Sequence, residues 1–143
     1  MNNVFVDTNV IIDFLADRKP FSDGAAQLFQ LAKNKEIKLY IAAISVNNTY
    51  YILRKVCLHS KSLELIGSID DLVEIIPLTQ NVIRKAIKSG FKDFEDALQY
   101  YSALNVNKVD VIVTRNAKDF KKSEVPVLDP DALVKLILFS KNK

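Results

Sequence analysis

Two short apolar runs that each end abruptly in polar groups constrain this chain most. Val4-Phe5-Val6 leads into Asp7-Thr8-Asn9, and Val111-Ile112-Val113 leads into Thr114-Arg115-Asn116, with Asp119-Phe120 close behind. Runs of this length without polar alternation read as strands buried on both faces, the situation of parallel sheets. Further strand patterns occur at Lys38–Ala42, Val73–Ile76 and Pro126–Leu128. Helical periodicity fills the intervals at Val10–Ala16, Ser22–Lys33, Ser45–Leu58, Leu63–Leu72, Asn81–Ser89, Phe94–Leu104 and Asp131–Phe139. Strands separated by helices pair in parallel through crossovers, so the expected fold is α/β: a three-layer α/β/α domain with a central parallel sheet of about five strands. Two helical patterns stand on each side of Val73–Ile76, so one helix of each pair is expected to be a crossover and the other an excursion.

At 143 residues the chain is long enough for one ordinary core, and a single domain over 1–143 is expected. The balance of 49% hydrophobic and 26% charged residues is that of a globular chain and excludes a disordered one. No apolar run approaches the roughly 20 residues needed to cross a bilayer, and the N-terminus lacks a signal-peptide pattern, so a cytoplasmic location is expected. The lone Cys57 has only His59 nearby, which excludes an internal disulfide and a zinc set; it reads as a small buried residue on a helix. The three glycines, Gly24, Gly67 and Gly90, form no phosphate-cradling loop, which disfavours nucleotide-binding enzymes.

Boundary chemistry supports the helices. Ser22, Ser45 and Thr79 are placed as N-caps, Gly90 suits a left-handed C-cap, and Pro130 suits a first helical turn. Thr8 reads equally as a cap for a helix starting at Asn9 or as a hydroxyl that orients water or phosphate. Asp93 is placed to cap the Phe94–Leu104 helix, where the helix dipole also favours Asp96.

The strand ends place Asp7 and the Thr114–Asn116 group on one edge of one sheet, and ligands bind beyond the carboxyl ends of such strands. Asp93 and Asp96, three apart, share a helix face, and Asp96 is followed by the apolar Ala97 and Leu98. Two carboxylates roughly 4 Å apart repel by about 4 kcal/mol at an effective dielectric near 20, so Asp7 beside Asp96 calls for a cation. Oxygen donors without His or Cys select a hard ion, Mg2+ or Mn2+. The net charge of +3 is mild, but Lys88, Lys92, Arg115, Lys118, Lys121 and Lys122 flank the acidic positions and suit backbone phosphates.

The combination of Asp7-Thr8-Asn9, the helix start at Ser45 to Tyr51, Asp93-Phe94-Glu95-Asp96-Ala97, and Thr114-Arg115-Asn116 with Asp119-Phe120 resembles the PIN domain family in order and spacing, from Val4 to about Leu136. The resemblance implies a metal-dependent nuclease acting on RNA, of the kind that serves as the VapC-like toxin of a VapBC-type toxin–antitoxin pair. It implies Asp7 as the first metal-binding acid, Asp96 as the third and Asn116 as the fourth polar position, with Asp119 as a helper. The family's second acid falls on Asn48, which keeps a carbonyl oxygen but lacks a charge and cannot act as a base. Asp93 is expected to restore part of that charge. The implied chemistry is phosphodiester hydrolysis with Mg2+ or Mn2+, with Thr8, Thr114, Arg115 and Lys118 as substrate contacts. The implied partners are RNA, an antitoxin protein and a second copy of the chain. The alternative is a PIN-like module that has lost cleavage with Asn48 and binds RNA or a protein. A phosphate-accepting signalling domain is disfavoured, because no lysine directly follows a late buried strand.

Overall fold

The computed structural model describes residues 2–106 and 108–142. Strands β1 (Asn3–Val6), β2 (Lys38–Ala42), β3 (Val73–Ile76), β4 (Val111–Val113) and β5 (Val127–Leu128) form a parallel sheet in the order β3-β2-β1-β4-β5. Helices α1 (Thr8–Leu15) and α2 (Ser22–Lys33) carry the chain from β1 to β2. Helices α3 (Ala43–Leu53) and α4 (His59–Gly67) carry it to β3, α5 (Gln80–Ile87) and α6 (Phe94–Leu104) to β4, and α7 (Pro130–Lys141) follows β5.

Alternation along the strands builds two cores. Val4, Val6, Leu39, Ile41, Val111 and Val113 face Ile11, Leu28, Phe29, Leu53 and Leu133 on one side. Phe5, Tyr40, Ala42 and Ile112 face Tyr100 and Ala103 of α6, together with Phe120, on the other. Each fully buried large apolar side chain contributes about 1.5–3 kcal/mol, so both faces are closed by helices and the three-layer expectation holds. Of the paired helices, α6 lies on the sheet while α5 packs on α6 through Val82, Ala86, Ala97 and Leu98, and α4 packs on α3.

Several boundaries differ from expectation for local reasons. Helix α3 begins at Ala43, directly off the extended Ala42, so Ser45 lies inside the helix and is not its cap. Its end at Leu53 precedes the exposed Val56, and Cys57 falls half-buried on the bend before α4 instead of on a helix. The pattern read as Leu63–Leu72 divides into α4 and a 3-10 turn at Asp70–Leu72. Thr8 is the first residue of α1 and Ser22 the first of α2, and neither serves as a cap. Thr79 and Asp93 behave as expected, their side chains accepting from Val82 N and Asp96 N, whereas α5 ends at Ile87 with Lys88 as its C-cap, so Gly90 takes its φ of +76° in the loop beyond and does not cap the helix. Among the described residues no helix is long and apolar enough to cross a membrane.

The order of strands positions the site. From β1 the chain moves outward to β2 and β3, then crosses to the opposite side of β1 to form β4. The crevice beyond the carboxyl ends of β1 and β4 is therefore the topological switch point, where open α/β sheets bind ligands.

Candidate active site

The register that pairs Val6 with Val113 sets Asp7 beside Thr114. The Asp7 N–H donates to Val113 O at 2.9 Å, and the Thr114 hydroxyl donates to Asp7 Oδ2 at 2.6 Å. Thr114 Oγ1 accepts in turn from Asn116 N at 3.1 Å. Asp7 is only 4% exposed. That burial pushes its pKa above the usual carboxylate range; hydrogen bonding from Thr114 and Gln99 opposes the rise, and the nearby Glu95 charge adds to it.

The second acidic element is the start of α6. Asp93 Oδ1 accepts from Asp96 N at 3.0 Å, which fixes the helix start. Asp96, half-buried, has its pKa pushed up to about 7, first by desolvation and then by the carboxylates of Asp7, Asp93, Asp119 and Glu95. Five acids from separate parts of the chain thus share one electrostatic neighbourhood. Among the described residues, none of the five belongs to an ion pair.

This crowding has a measurable consequence in metal-free protein. Between pH about 4 and about 7, native Asp96 holds a proton that the unfolded chain has released, so its contribution to stability is greatest at low pH and is lost as pH rises through 7. The loss is about 4 kcal/mol at face value, reduced to roughly 1–2 kcal/mol by solvent screening of a half-exposed group. Urea unfolding in EDTA at pH 5 and pH 8 will show the decline in the native sequence, and Asp96→Asn will reduce it, the raised Asp7 accounting for what remains.

Beneath the acids lies a polar network that ties three helices together. Thr8 N donates to Gln99 Oε1 at 3.1 Å, and Ser45 Oγ lies 3.2 Å from the same oxygen. Thr8 Oγ1 lies 2.7 Å from Ser45 Oγ and 2.8 Å from Glu95 Oε2. A hydroxyl has one proton and the carboxylate is the stronger acceptor, so Thr8 donates to Glu95 and Ser45 supplies its own proton to the network. Thr8 and Thr114, expected to meet water or phosphate, instead direct their hydroxyls onto the site's own side chains.

Arg115, expected to contact phosphate, is held elsewhere. Its guanidinium contacts buried Asp13 at 2.5 and 3.2 Å and lies 3.9 Å from the Phe21 ring. Arg18 binds the same carboxylate at 2.9 Å. The arginine at the end of β4 therefore compensates an acid of α1, and among the described residues no guanidinium pairs with the site's carboxylates.

Asn48 is half-buried one turn beyond Ser45, and Asn116 and Asp119 are exposed around the 3-10 turn Ala117–Phe120. Asp119 still acts on Asp96 through its charge. Lys92, Lys118, Lys121 and Lys122 rim a cleft of about 450 Å3 whose acidic side is Asp93, Asp96 and Asp119. Among the described residues no group of three or more Asp, Glu, His or Cys side chains is placed to hold a metal ion. The donor chemistry is nevertheless that suited to a hard dication: the charge of buried Asp7 acts on half-buried Asp96, neither is in an ion pair among the described residues, and their neighbours Thr114, Gln99, Glu95, Asp93 and Asp119 offer oxygen donors.

Glu95, Gln99 and Asp13 have structural partners that no motif in the sequence had assigned them. Glu95 and Gln99 are four apart on a helix whose neighbours Ala97, Leu98 and Tyr100 are buried, and Asp13 is the lone charge within Val10–Leu15. A polar residue at a position whose helical neighbours are apolar was the available signal.

A family model described as PIN domain matches residues 3–118. Ribonuclease VapC1 of Aquifex aeolicus is 30% identical over 130 residues, which cover 87% of this chain and 88% of that protein. The structure of VapBC-1 from nontypeable Haemophilus influenzae superposes with a TM-score of 0.66 at 20% identity, covering 90% of this chain and 98% of the other. A toxin–antitoxin complex from Klebsiella pneumoniae gives 0.64 at 20% identity, covering 89% and 97%. These two structures share the fold, while the family match and the VapC1 identity extend over most of the sequence, and on that ground the chain belongs to the PIN domain family.

Proposed function

We propose that this chain is a divalent-metal-dependent endoribonuclease, acting as a single domain, and the toxin of a toxin–antitoxin pair. The observation that carries the reading is the buried Asp7 at the switch point, whose charge acts on Asp96, with neither acid in an ion pair among the described residues. Its 30% identity to a protein named a ribonuclease supports RNA as the substrate.

Asp7 and Asp96 would hold the ion, with Asn116, Asp119, Asp93 and Asn48 at its margin. Mg2+ or Mn2+, when bound, supplies acidified water and a counter-charge for the attacked phosphate. The chain's own contribution is positioning. Thr114 fixes Asp7 Oδ2, and the Asn116 N–H fixes Thr114. Gln99 joins the starts of α1 and α3 to α6, so the acids keep one relative placement. Lys92, Lys118, Lys121 and Lys122 are the phosphate contacts, a role that Arg115 leaves to them.

Purified protein is expected to cleave single-stranded RNA with Mn2+ and to stop when EDTA is added. Asn48 favours one other reading, binding without cleavage, and RNA bound but uncut at saturating Mn2+ would establish it. Replacing Lys121 and Lys122 together with Gln will weaken RNA binding and lower the slope of log affinity against log salt by about 1.4, at roughly 0.7 per phosphate contact. Filter binding across a salt series reads both effects.

An antitoxin is the proposed protein partner, since a structure of the same fold is described as a toxin–antitoxin complex. The exposed Tyr51, Val56, Leu58 and Leu63 on and between α3 and α4 offer apolar surface for it or for a second copy.

A further inference from the structure

Between α5 and α6 the chain runs Ser89-Gly90-Phe91-Lys92-Asp93, and this loop brings an aromatic ring to the cleft that the lysines rim. We propose that Phe91 is a stacking platform for one unpaired base of the RNA, whose adjoining phosphates lie on Lys92, Lys118, Lys121 and Lys122. This rests on the reading of RNA as the substrate and of those lysines as its phosphate contacts.

Position is the first argument. Phe91 and the four lysines line the same cleft of about 450 Å3, a size within the range of sites that enclose small ligands. A ring among cations matches a nucleotide, which offers an apolar face on its base and a charge on its phosphate. In a duplex the base faces are covered by their neighbours, so this pairing of groups selects an unpaired strand. Tyr100 and Phe120, which serve the core, are 4% and 2% exposed, whereas Phe91 is only half-buried and keeps surface on the cleft.

Fixation is the second argument. Tyr100 backs the Phe91 ring with centroids 5.4 Å apart and planes tilted by 33°, and Tyr101 and Phe120 meet it at 6.2 and 6.4 Å in T-shaped contacts. The loop is pinned as well. The Phe91 N–H donates to Ser89 Oγ at 3.1 Å, and the Ser89 hydroxyl donates to Ala86 O at 2.8 Å. A ring held in this way has little rotamer freedom left to lose when a base settles on it.

The test compares the affinity of the full chain for a labelled single-stranded oligoribonucleotide and for an abasic chain of the same length, in EDTA, where metal-dependent cleavage is silent. Phe91→Leu is expected to weaken binding of the intact RNA roughly 5- to 100-fold and to leave the abasic chain unaffected. Phe91→Tyr, which keeps a ring, should bind both as the native protein does. Lys121→Gln with Lys122→Gln should weaken both RNAs alike, because phosphates are common to them. Each ratio of intact to abasic affinity comes from one preparation, so a partly unfolded variant does not distort it. The chain contains no tryptophan, so Phe91→Trp supplies a single emitter, which intact RNA should quench and abasic RNA should not. An unchanged ratio in Phe91→Leu, or equal quenching by the two RNAs, would overturn the role of Phe91 and leave the RNA reading intact. Failure of the native chain to bind either RNA would instead defeat the RNA reading itself.

Discussion

Asp7→Asn is expected to reduce Mn2+-dependent RNA cleavage by about a thousandfold or more while leaving the fold intact. The expectation follows from two properties of the position. Asn has nearly the same shape and keeps an oxygen that can accept the Thr114 hydroxyl, so the link between the ends of β1 and β4 survives. What disappears is the negative charge of a residue 4% exposed, which is the part that would attract a dication. Removal of a single preorganised electrostatic group at a reacting centre commonly costs 10²–10³ in rate, and loss of a metal-binding acid adds weaker ion occupancy to that figure, giving roughly 10³ or more. Burial of an uncompensated carboxylate is costly, so the variant should melt in EDTA at the native temperature or above it. Single-turnover cleavage of a labelled RNA, together with thermal melts in EDTA, checks both halves. Native-like cleavage by Asp7→Asn would remove the crevice between β1 and β4 as the reacting centre.

Asp13→Ala should have the largest effect on stability. Its carboxyl is 2% exposed and accepts from Arg18 and Arg115, whose side chains are 42% and 25% exposed. Breaking a fully buried pair by removing one partner costs about 3–5 kcal/mol, and the access of both guanidinium groups to solvent lowers this to about 2–3 kcal/mol. For a chain of this size the fall in Tm is on the order of 10 °C. Asp13→Asn, which retains an acceptor, should lose less. Urea unfolding of the three proteins at constant pH measures the differences; an unchanged midpoint in Asp13→Ala would mean that the two arginines draw no stability from this carboxylate. The substitution would also free Arg115 beside the acidic site, so any change in RNA affinity should be measured separately from the change in folding.

The parts of the site legible in the sequence were those set by strand periodicity. Val4–Val6 and Val111–Val113 marked the buried strands, and the polar residues following them had to lie at the carboxyl edge, so Asp7 and Thr114 were placed correctly beside each other. Asp96 followed from its spacing to the Asp93 cap. Hydroxyl residues were harder. Ser45 and Ser22 were assigned to caps, and Thr8 to a cap or to water and phosphate, because short polar side chains satisfy orphan N–H groups at helix starts. In the fold, Ser45 and Thr8 hydrogen-bond across helices, to partners 54 and 87 residues away. Arg115 was given to phosphate because the residue that claims it, Asp13, stands 102 positions earlier on an otherwise apolar segment.

Local pattern thus determined which segments became strands and helices, because the periods of 2 and 3.6 residues are properties of the backbone that hydrophobic spacing records directly. It also determined that acids would gather at one edge of the sheet. Which polar atoms meet there was decided only by the tertiary structure: the strand order β3-β2-β1-β4-β5 brings the start of α6 over the end of β1, and hydrogen bonds and ion pairs form between groups that share no sequence neighbourhood. A side chain's chemical role follows from its nearest partner in space, and for Glu95, Gln99, Asp13 and Arg115 that partner lies on another element or depends on which face of the helix the fold turns inward.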